Sequence, residues 1–392
     1  MSKDGKTPML DDLEKGAWPS FVKEIKKAAV KSNTAKDLLN ILERSYRDKV
    51  THWKHGGIVG VLGYGGGVIG RYCDLPEEYP GVAHFHTVRI NQPAGNYYTS
   101  NALRELMDIW DKYGSGLTNM HGSTGDLVLL GTQTDKLEAI FAETTAKGWD
   151  LGGSGSCLRT PSCCVGNSRC EFSNIDSMEI CDTLTHKFQD ELHRPAFPYK
   201  FKIKVSGCAN DCTAAIARAD MSIIGTWRDD IRIDQAEVKN CSKDMDIKTE
   251  VCDMCPTHCM SWDGSTLKIN NKDCTRCMHC INRMPKALRP GKEKGATIML
   301  GGKAPIVTGA LMSWVIVPFM KLEKPFDNIE DLIRKLWEWW DEHGKNRERI
   351  GELVDRMGMR SMLESTGLPP VPQMVKAPRS NPYVFWSPED VK

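Results

Sequence analysis

Two pairs of cysteines near the middle of the chain have the residue types and spacing to hold a metal cluster. Cys164 and Cys170 form a C-x5-C pair, and Cys208 and Cys212 form a C-x3-C pair. Four thiolates brought together in this way can ligate one [4Fe–4S] cube. They also fit a structural zinc ion, and the spacing alone does not choose between the two metals.

The sequence between the two cysteine pairs is basic and alternates with apolar residues. If residues 199–205 form a strand, Lys200, Lys202 and Lys204 share one face of it. Most charged strands simply present a solvated surface. Here the row of cations lies beside a soft-metal site and glycine-rich loops, which favours redox chemistry on an anion.

A second, denser cysteine group lies in residues 235–295. Three of its cysteines stand at two-residue intervals, a spacing that holds three corners of a [4Fe–4S] cube: Cys274, Cys277 and Cys280. Cys255 precedes a proline, as remote ferredoxin ligands do, and is the expected fourth ligand, with Cys252 and Cys259 as competitors. A zinc knuckle is the alternative, but it leaves Cys274 unused. The segment is therefore predicted to be an inserted ferredoxin-type module.

Length and composition limit the protein class. The 392 residues are enough for two or three domains, and a net charge of +1 argues against nucleic acid as a partner. No apolar run reaches the roughly 18–20 residues of a membrane-spanning helix, and the N-terminus lacks the apolar region of a secretory signal. Fifteen clustered cysteines indicate metal binding rather than disulfides, so we expect a cytoplasmic protein.

The predicted order of elements is that of an α+β protein. Helices are expected over residues 10–50, Asn101–Tyr113, about 176–192 and about 329–343. A strand is expected over residues 82–90, and a loop followed by a buried strand over residues 117–132. A strand at Ile58–Leu62 followed by a glycine-rich turn at Gly63–Gly70 resembles a dinucleotide-binding fold only loosely, since no ribose-binding acid follows. The expected domain limits are 1–150, 151–234, 235–295 and 296–392.

Together these motifs resemble the sirohaem sulfite and nitrite reductase family. The C-x5-C and C-x3-C pairs are similar to its sirohaem–[4Fe–4S] signature, and the inserted ferredoxin module narrows the likeness to alpha subunits of dissimilatory sulfite reductases. The likeness covers nearly the whole chain, in THWKHGGIVGVLGYGGGVIGRYCD, GVAHFHTVR, GSGLTNMHGSTGD, LHRPAFPYKFKIK, CTRCMHCINRMP and GKNRERIGE. It implies two sulfite-reductase-like α/β sandwich domains with an inserted ferredoxin-like [4Fe–4S] module.

The resemblance also implies a role for each matching residue. One cluster would be held by Cys164, Cys170, Cys208 and Cys212, with Cys212 bridging to sirohaem. A second would be held by Cys255, Cys274, Cys277 and Cys280. The sulfite-binding positions would be Arg89, Arg159, Lys200 and Lys202. The carboxylates of sirohaem, or of demetallated sirohydrochlorin, would be bound by Arg71, Lys204 and Arg218.

The implied activity is the six-electron reduction of sulfite to sulfide, or to a protein-bound sulfur intermediate. The ferredoxin-type cluster would relay electrons from an outside donor. The implied partners are a beta subunit in an α2β2 assembly and a small sulfur-carrier protein. Three alternatives remain open: an electron-transfer or structural subunit with an inert sirohaem site, a sirohaem nitrite or assimilatory sulfite reductase, and a zinc-binding structural protein. The inserted ferredoxin module argues against the second.

Overall fold

The computed structural model describes residues 6–16, 20–55, 66–194, 197–304 and 311–374. The strand predicted at Ile58–Leu62 and part of the glycine-rich turn after it lie outside these residues. The helices are α1 (Pro8–Glu14), α2 (Phe21–Ala29), α3 (Asn33–Asp48), α4 (Ser100–Tyr113), α5 (Leu137–Ala146), α6 (Ser177–Lys187), α7 (Gln189–His193), α8 (Ala215–Arg218), α9 (Gln235–Cys241), α10 (His279–Arg283), α11 (Asp327–His343), α12 (Ile350–Met357) and α13 (Met359–Thr366). The strands are β1 (Trp53–His55), β2 (Val68–Ile69), β3 (Arg71–Cys73), β4 (His86–Ile90), β5 (Gly114–Met120), β6 (Leu127–Thr132), β7 (Leu158–Cys163), β8 (Phe201–Ser206), β9 (Met221–Trp227), β10 (Arg232–Ile233), β11 (Met260–Trp262), β12 (Leu267–Ile269), β13 (Leu288–Arg289), β14 (Lys294–Leu300) and β15 (Trp314–Met320).

The chain divides into two compact units. Unit 1 comprises residues 1–160 and 187–200, and unit 2 comprises residues 161–186 and 201–392. Mixed helix and strand content in both units confirms the predicted α+β class. None of the helices in the described ranges is long and apolar enough to cross a membrane.

Unit 1 is built on a four-stranded antiparallel sheet in the order β2-β4-β6-β5. The predicted helix at Asn101–Tyr113 is confirmed as α4, whose cap Thr99 accepts a hydrogen bond from the Ala102 N–H. Its buried residues Leu106 and Trp110 pack in one apolar cluster with strand residues such as Leu129. Residues 117–120, where the loop was predicted to begin, instead belong to strand β5, because β6 supplies the hydrogen-bonding partners that local sequence does not reveal.

Unit 2 contains a five-stranded sheet in the order β15-β14-β9-β8-β7, of which β7 belongs to this unit from Pro161 onward. Strands β8 and β9 are parallel and are joined through α8, whereas β14 pairs antiparallel with both neighbours. Helix α11 contributes Trp337, whose ring meets Phe201 of β8 edge-on at 5.5 Å between centroids. The short pairs β10–β13 and β11–β12 surround the second cysteine group.

Candidate metal centres and anion-binding residues

The ends of two neighbouring strands position the first cysteine group. Cys164 directly follows β7, and its N–H donates to the Val205 carbonyl of β8 at 3.1 Å. The N–H of Gly207, just beyond β8, donates to Cys164 Sγ at 3.1 Å. A side chain at Gly207 would collide with Ser173 Oγ at 2.2 Å, so only glycine permits this close approach. The sheet thus brings the C-x5-C and C-x3-C pairs together.

Electrostatic coupling shows that these four thiols lie near one another. Burial raises the pKa of Cys208 to about 11, and charge on Cys170, Cys212 or Cys164 would raise it further. Burial also raises the pKa of Cys212, with the same contribution from Cys164 and Cys170. Four close thiolates are unfavourable without a cation between them. The donor set therefore fits an iron–sulfur cube, in which iron compensates that charge.

The loop that carries Cys208 and Cys212 is held in a constrained conformation. Asp211 has a φ of 45° and Ala214 a φ of 51°, a region that non-glycine residues rarely adopt. Asp211 stabilises the turn, because its carboxylate accepts hydrogen bonds from Ser206 Oγ at 2.7 Å and from the N–H groups of Ala215 and Ile216 at 2.9 and 3.0 Å. Such over-determined strain is typical of functional loops.

The second cysteine group lines a narrow pocket, to which five thiols contribute: Cys255, Cys259, Cys274, Cys277 and Cys280. The backbone winds tightly here, with positive φ at His258, Arg276 and Met278. Burial raises the pKa of Cys280 to about 12, and Cys274, Cys277 and Cys255 add to the rise. Cys255 therefore interacts with at least Cys274 and Cys280 of the C-x2-C-x2-C motif. Cys259 lies 3.5 Å from Cys255 Sγ.

Two further thiols beside the first group interact with each other. Cys163 and Cys181 are both buried, and their mutual hydrogen bond, followed by burial, raises the pKa of Cys181. Lys204 lies near them and donates from Nζ to Ser162 Oγ at 3.0 Å. Burial, and then the charge of Arg218, lowers the pKa of Lys204. Lys204 and Arg218, both predicted to bind a macrocycle carboxylate, thus lie within electrostatic range of each other.

Three of the predicted cationic residues converge in unit 1. Burial lowers the pKa of Arg71, as does the charge of Arg89. Burial lowers the pKa of Arg159 to about 10, again with a contribution from Arg89. The Nε atoms of all three arginines are buried without a hydrogen-bond partner in the described part of the chain. Buried guanidinium N–H groups without acceptors are costly, so this set fits an anionic ligand.

The other two predicted sulfite-binding residues flank the start of β8. Lys200 precedes the strand, belongs to unit 1, and places Nζ 4.9 Å from the centre of the Tyr199 ring. Lys202 lies in unit 2, and its N–H donates to Asp220 Oδ2 at 2.8 Å. The strand therefore includes Lys202 and Lys204 but not Lys200, unlike the predicted row of three.

Two residues that the sequence did not single out support the cationic groups. Asp126 is fully buried and accepts a hydrogen bond from Arg89 Nη1 at 2.9 Å. Asp220, also fully buried, accepts two hydrogen bonds from Arg349 at 2.6 and 2.7 Å. Asp126 ends the GSTGD stretch, and Arg349 lies in GKNRERIGE. Both stretches carry the family resemblance, and that resemblance is the sequence signal that could have pointed to these residues.

A pair of asparagines connects the segments that carry the two cysteine groups. The side-chain amides of Asn210 and Asn282 exchange reciprocal hydrogen bonds of 3.1 and 2.6 Å. Asn210 lies between Cys208 and Cys212, and Asn282 follows Cys280 by two residues. Cys208 also packs in the same apolar cluster as Cys280. The two candidate centres are therefore neighbours within unit 2.

Comparison with known proteins adds to this geometry. Residues 154–369 match the family described as nitrite and sulphite reductase 4Fe-4S domain, and residues 79–147 match the nitrite/sulfite reductase ferredoxin-like half domain. A Nitratidesulfovibrio vulgaris protein named sulfite reductase, dissimilatory-type subunit alpha, is 57% identical, with 98% of this chain and 95% of that protein covered. A protein of the same name from Allochromatium vinosum is 46% identical, with 96% and 93% covered.

Two more matches concern the fold and the second kind of subunit, the beta subunit. The crystal structure of dissimilatory sulfite reductase I superimposes with a TM-score of 0.89 at 55% identity, covering 98% of this chain and 96% of that one. A dissimilatory-type sulfite reductase subunit beta from Archaeoglobus fulgidus is 27% identical, with 72% of this chain and 79% of that protein covered. The chain is thus similar to both kinds of subunit, and more so to alpha.

Proposed function

Because this chain belongs to the nitrite and sulfite reductase family, in the branch of the dissimilatory alpha subunits, we propose that it acts with a beta subunit to reduce sulfite. The family binds sirohaem and iron–sulfur clusters. The observations that carry the proposal are two cysteine groups in unit 2 and, in unit 1, buried guanidinium groups whose Nε atoms have no acceptor among the described residues. Clusters held by the cysteine groups would store electrons, and the guanidinium groups would attract an oxyanion.

We further propose a role for each group of residues. Cys164, Cys170, Cys208 and Cys212 hold one cube, and Cys255, Cys274, Cys277 and Cys280 hold the other within the insert at 235–295. Arg71, Lys204 and Arg218 would pair with the carboxylates of a sirohaem-type macrocycle, and Cys212, the most exposed thiol of its group, would be the cluster ligand next to it. When bound, sirohaem binds the sulfur of the substrate and passes it electrons.

The protein residues bind the oxyanion and stabilise charge. Arg89, Arg159, Lys200 and Lys202 neutralise sulfite and polarise its S–O bonds as each oxygen leaves as water. Guanidinium Nε atoms that lack an internal acceptor are already desolvated, so they can donate to sulfite without first breaking a protein contact. In an assembly with the beta subunit, this quartet would act on sulfite at a sirohaem that the beta subunit would hold.

The assembly is proposed to be an α2β2 heterotetramer in the cytoplasm. An external donor supplies electrons through the cube at the insert, and a small sulfur-carrier protein takes up the product. The reciprocal Asn210–Asn282 contact supports a direct path between the two cubes of this chain, because it fixes the distance between their ligand loops.

The test is the substitution Lys202→Ala in the purified complex, with Lys335→Ala on the exposed face of α11 as the matched control. We expect Lys202→Ala to retain its clusters and tetrapyrrole, seen by absorption, while sulfite-dependent oxidation of a reduced dye falls by about a hundredfold or more. The control should match the wild type. Unchanged turnover in a folded Lys202→Ala complex would remove this residue from the site.

A further inference from the structure

A buried carboxylate lies within the cationic group of unit 1. Asp126 stands directly before β6, has no exposed surface, and lies 2.9 Å from Arg89 Nη1 through Oδ2. Thr124 Oγ1 donates to the same oxygen at 2.5 Å, and Arg89 Nη1 also reaches Thr124 Oγ1 at 3.3 Å. The carboxylate is therefore fixed in place, and its negative charge cannot turn away into solvent.

Neither the arginines near Asp126 nor Asp126 itself has all of its hydrogen-bonding atoms satisfied. Arg89 has only 8% of its side chain exposed, yet its Nε has no acceptor within the described part of the chain, and neither has Nε of Arg159. Asp126 Oδ1 is likewise buried and has no donor among the residues that the structure describes. The Asp126 carboxylate thus compensates only part of the charge of Arg89 and Arg159. The Nε–H groups of these two arginines remain available to an anion that binds.

From this arrangement we infer that Asp126 sets the charge of the anion site: it offsets part of the arginine charge, so that sulfite binds reversibly rather than too tightly. The inference rests on the proposed function. Arg89 and Arg159 without a carboxylate would present a net charge of +2 in a desolvated region, and Asp126 reduces it to +1. Asp126 is thus a positioning and charge-setting residue that acts through Arg89.

The sign of one substitution separates this role from simple structural support. Asp126→Asn preserves the shape and can still accept from Arg89 Nη1, but it removes the negative charge. If Asp126 sets the charge, sulfite should bind more tightly. The expected gain is at least about fivefold, because a unit charge a few ångströms away contributes that much even at the dielectric constant of water. If Asp126 only anchors Arg89, its loss should leave binding unchanged or weaken it.

The experiment is an equilibrium titration of the complete complex with sulfite, followed by the absorption of its tetrapyrrole, with KM and kcat measured beside it. Glu143→Gln is the control, since it removes one negative charge from an exposed ion pair with Lys112 in the same unit. We expect the Kd and KM for sulfite to fall by at least about fivefold in Asp126→Asn and to stay unchanged in the control. An unchanged or higher Kd in Asp126→Asn would overturn the inference.

A second variant and a second ligand allow the role of Asp126 to be tested even if the first experiment fails. If Asp126→Asn does not assemble with normal cluster content, Asp126→Ser, which is smaller and also uncharged, carries the same expectation. A wild-type complex that neither binds nor reduces sulfite would refute the proposed function. In that case the ratio of Kd values for inorganic phosphate, measured for wild type and variant by the rise in melting temperature, still tests the role of Asp126.

Discussion

The buried pair Arg349–Asp220 should be among the strongest side-chain contributions to the stability of unit 2. The two side chains are 4% and 0% exposed and meet through two hydrogen bonds of 2.6 and 2.7 Å. Asp220 also accepts the N–H of Lys202, so the pair connects the start of α12 to strand β8. We choose Arg349→Met as the perturbation, because methionine fills similar volume without charge.

The expected cost follows from the burial. Removing one partner of a buried ion pair leaves the other charge uncompensated and typically costs about 3–5 kcal/mol. In the double variant Arg349→Met/Asp220→Asn no charge is left alone, so we expect it to recover at least about half of that loss. Arg360→Met is the control, because its pair with Glu364 is 90% and 62% exposed and should contribute nothing measurable to the free energy of unfolding.

Urea unfolding of the anaerobically purified complex, followed by tryptophan fluorescence, measures the difference. Trp337 and Trp340 pack against Phe201 of β8, so the signal reports on the strand that the ion pair supports. Faster hydrogen exchange at the Lys202 amide should accompany the loss in Arg349→Met. The reasoning is refuted if Arg349→Met shifts the unfolding midpoint no more than Arg360→Met.

Three further outcomes are expected. Burial, followed by the charge of His84, lowers the pKa of His86 to about 4 in the folded chain. The contribution of neutral His86 to the free energy of unfolding is therefore fully present above its unfolded pKa near 6.5 and is lost as the pH falls towards 4. In urea unfolding at a series of pH values, His86→Gln should reduce the loss of stability between pH 6.5 and 4 by up to about 3 kcal/mol. Cys277→Ser should lose about four irons per chain by elemental analysis, and Cys241→Ser, outside both proposed ligand sets, should lose none. Asn282→Ala should keep both clusters but slow reoxidation of the insert cluster by sulfite in rapid-freeze spectra, and equal rates would contradict a path through the asparagine pair.

Local sequence was sufficient where the chemistry depends on spacing. The C-x2-C-x2-C motif and the Cys-Pro at 255 predicted a set of four cluster ligands, and these four thiols line one pocket together with Cys259. The helical periods of α4 and α11 likewise predicted their positions. These features are encoded over a few residues, so no tertiary information was needed.

Other features depend on contacts that no short window contains. Strand β5 exists because β6 pairs with it, and Phe188 leaves the helical region, so the helix expected over 176–192 is two helices, α6 and α7. Asp126 and Asp220 gain their importance only when Arg89 and Arg349 fold against them, the latter from 129 positions away in the chain. Acidic and basic residues are frequent in any sequence, so their presence alone predicts no ion pair. Only their burial in the folded chain distinguishes Asp126 and Asp220 from the other acidic residues.

The central claim is that this chain holds two iron–sulfur cubes beside a sirohaem-type macrocycle. Iron, acid-labile sulfide and extracted tetrapyrrole, measured together on the anaerobically purified chain with its partner, test it most directly. We expect at least about eight irons and eight sulfides per copy of this chain, together with a sirohaem-type pigment. Zinc in place of iron, with no tetrapyrrole, would contradict the account.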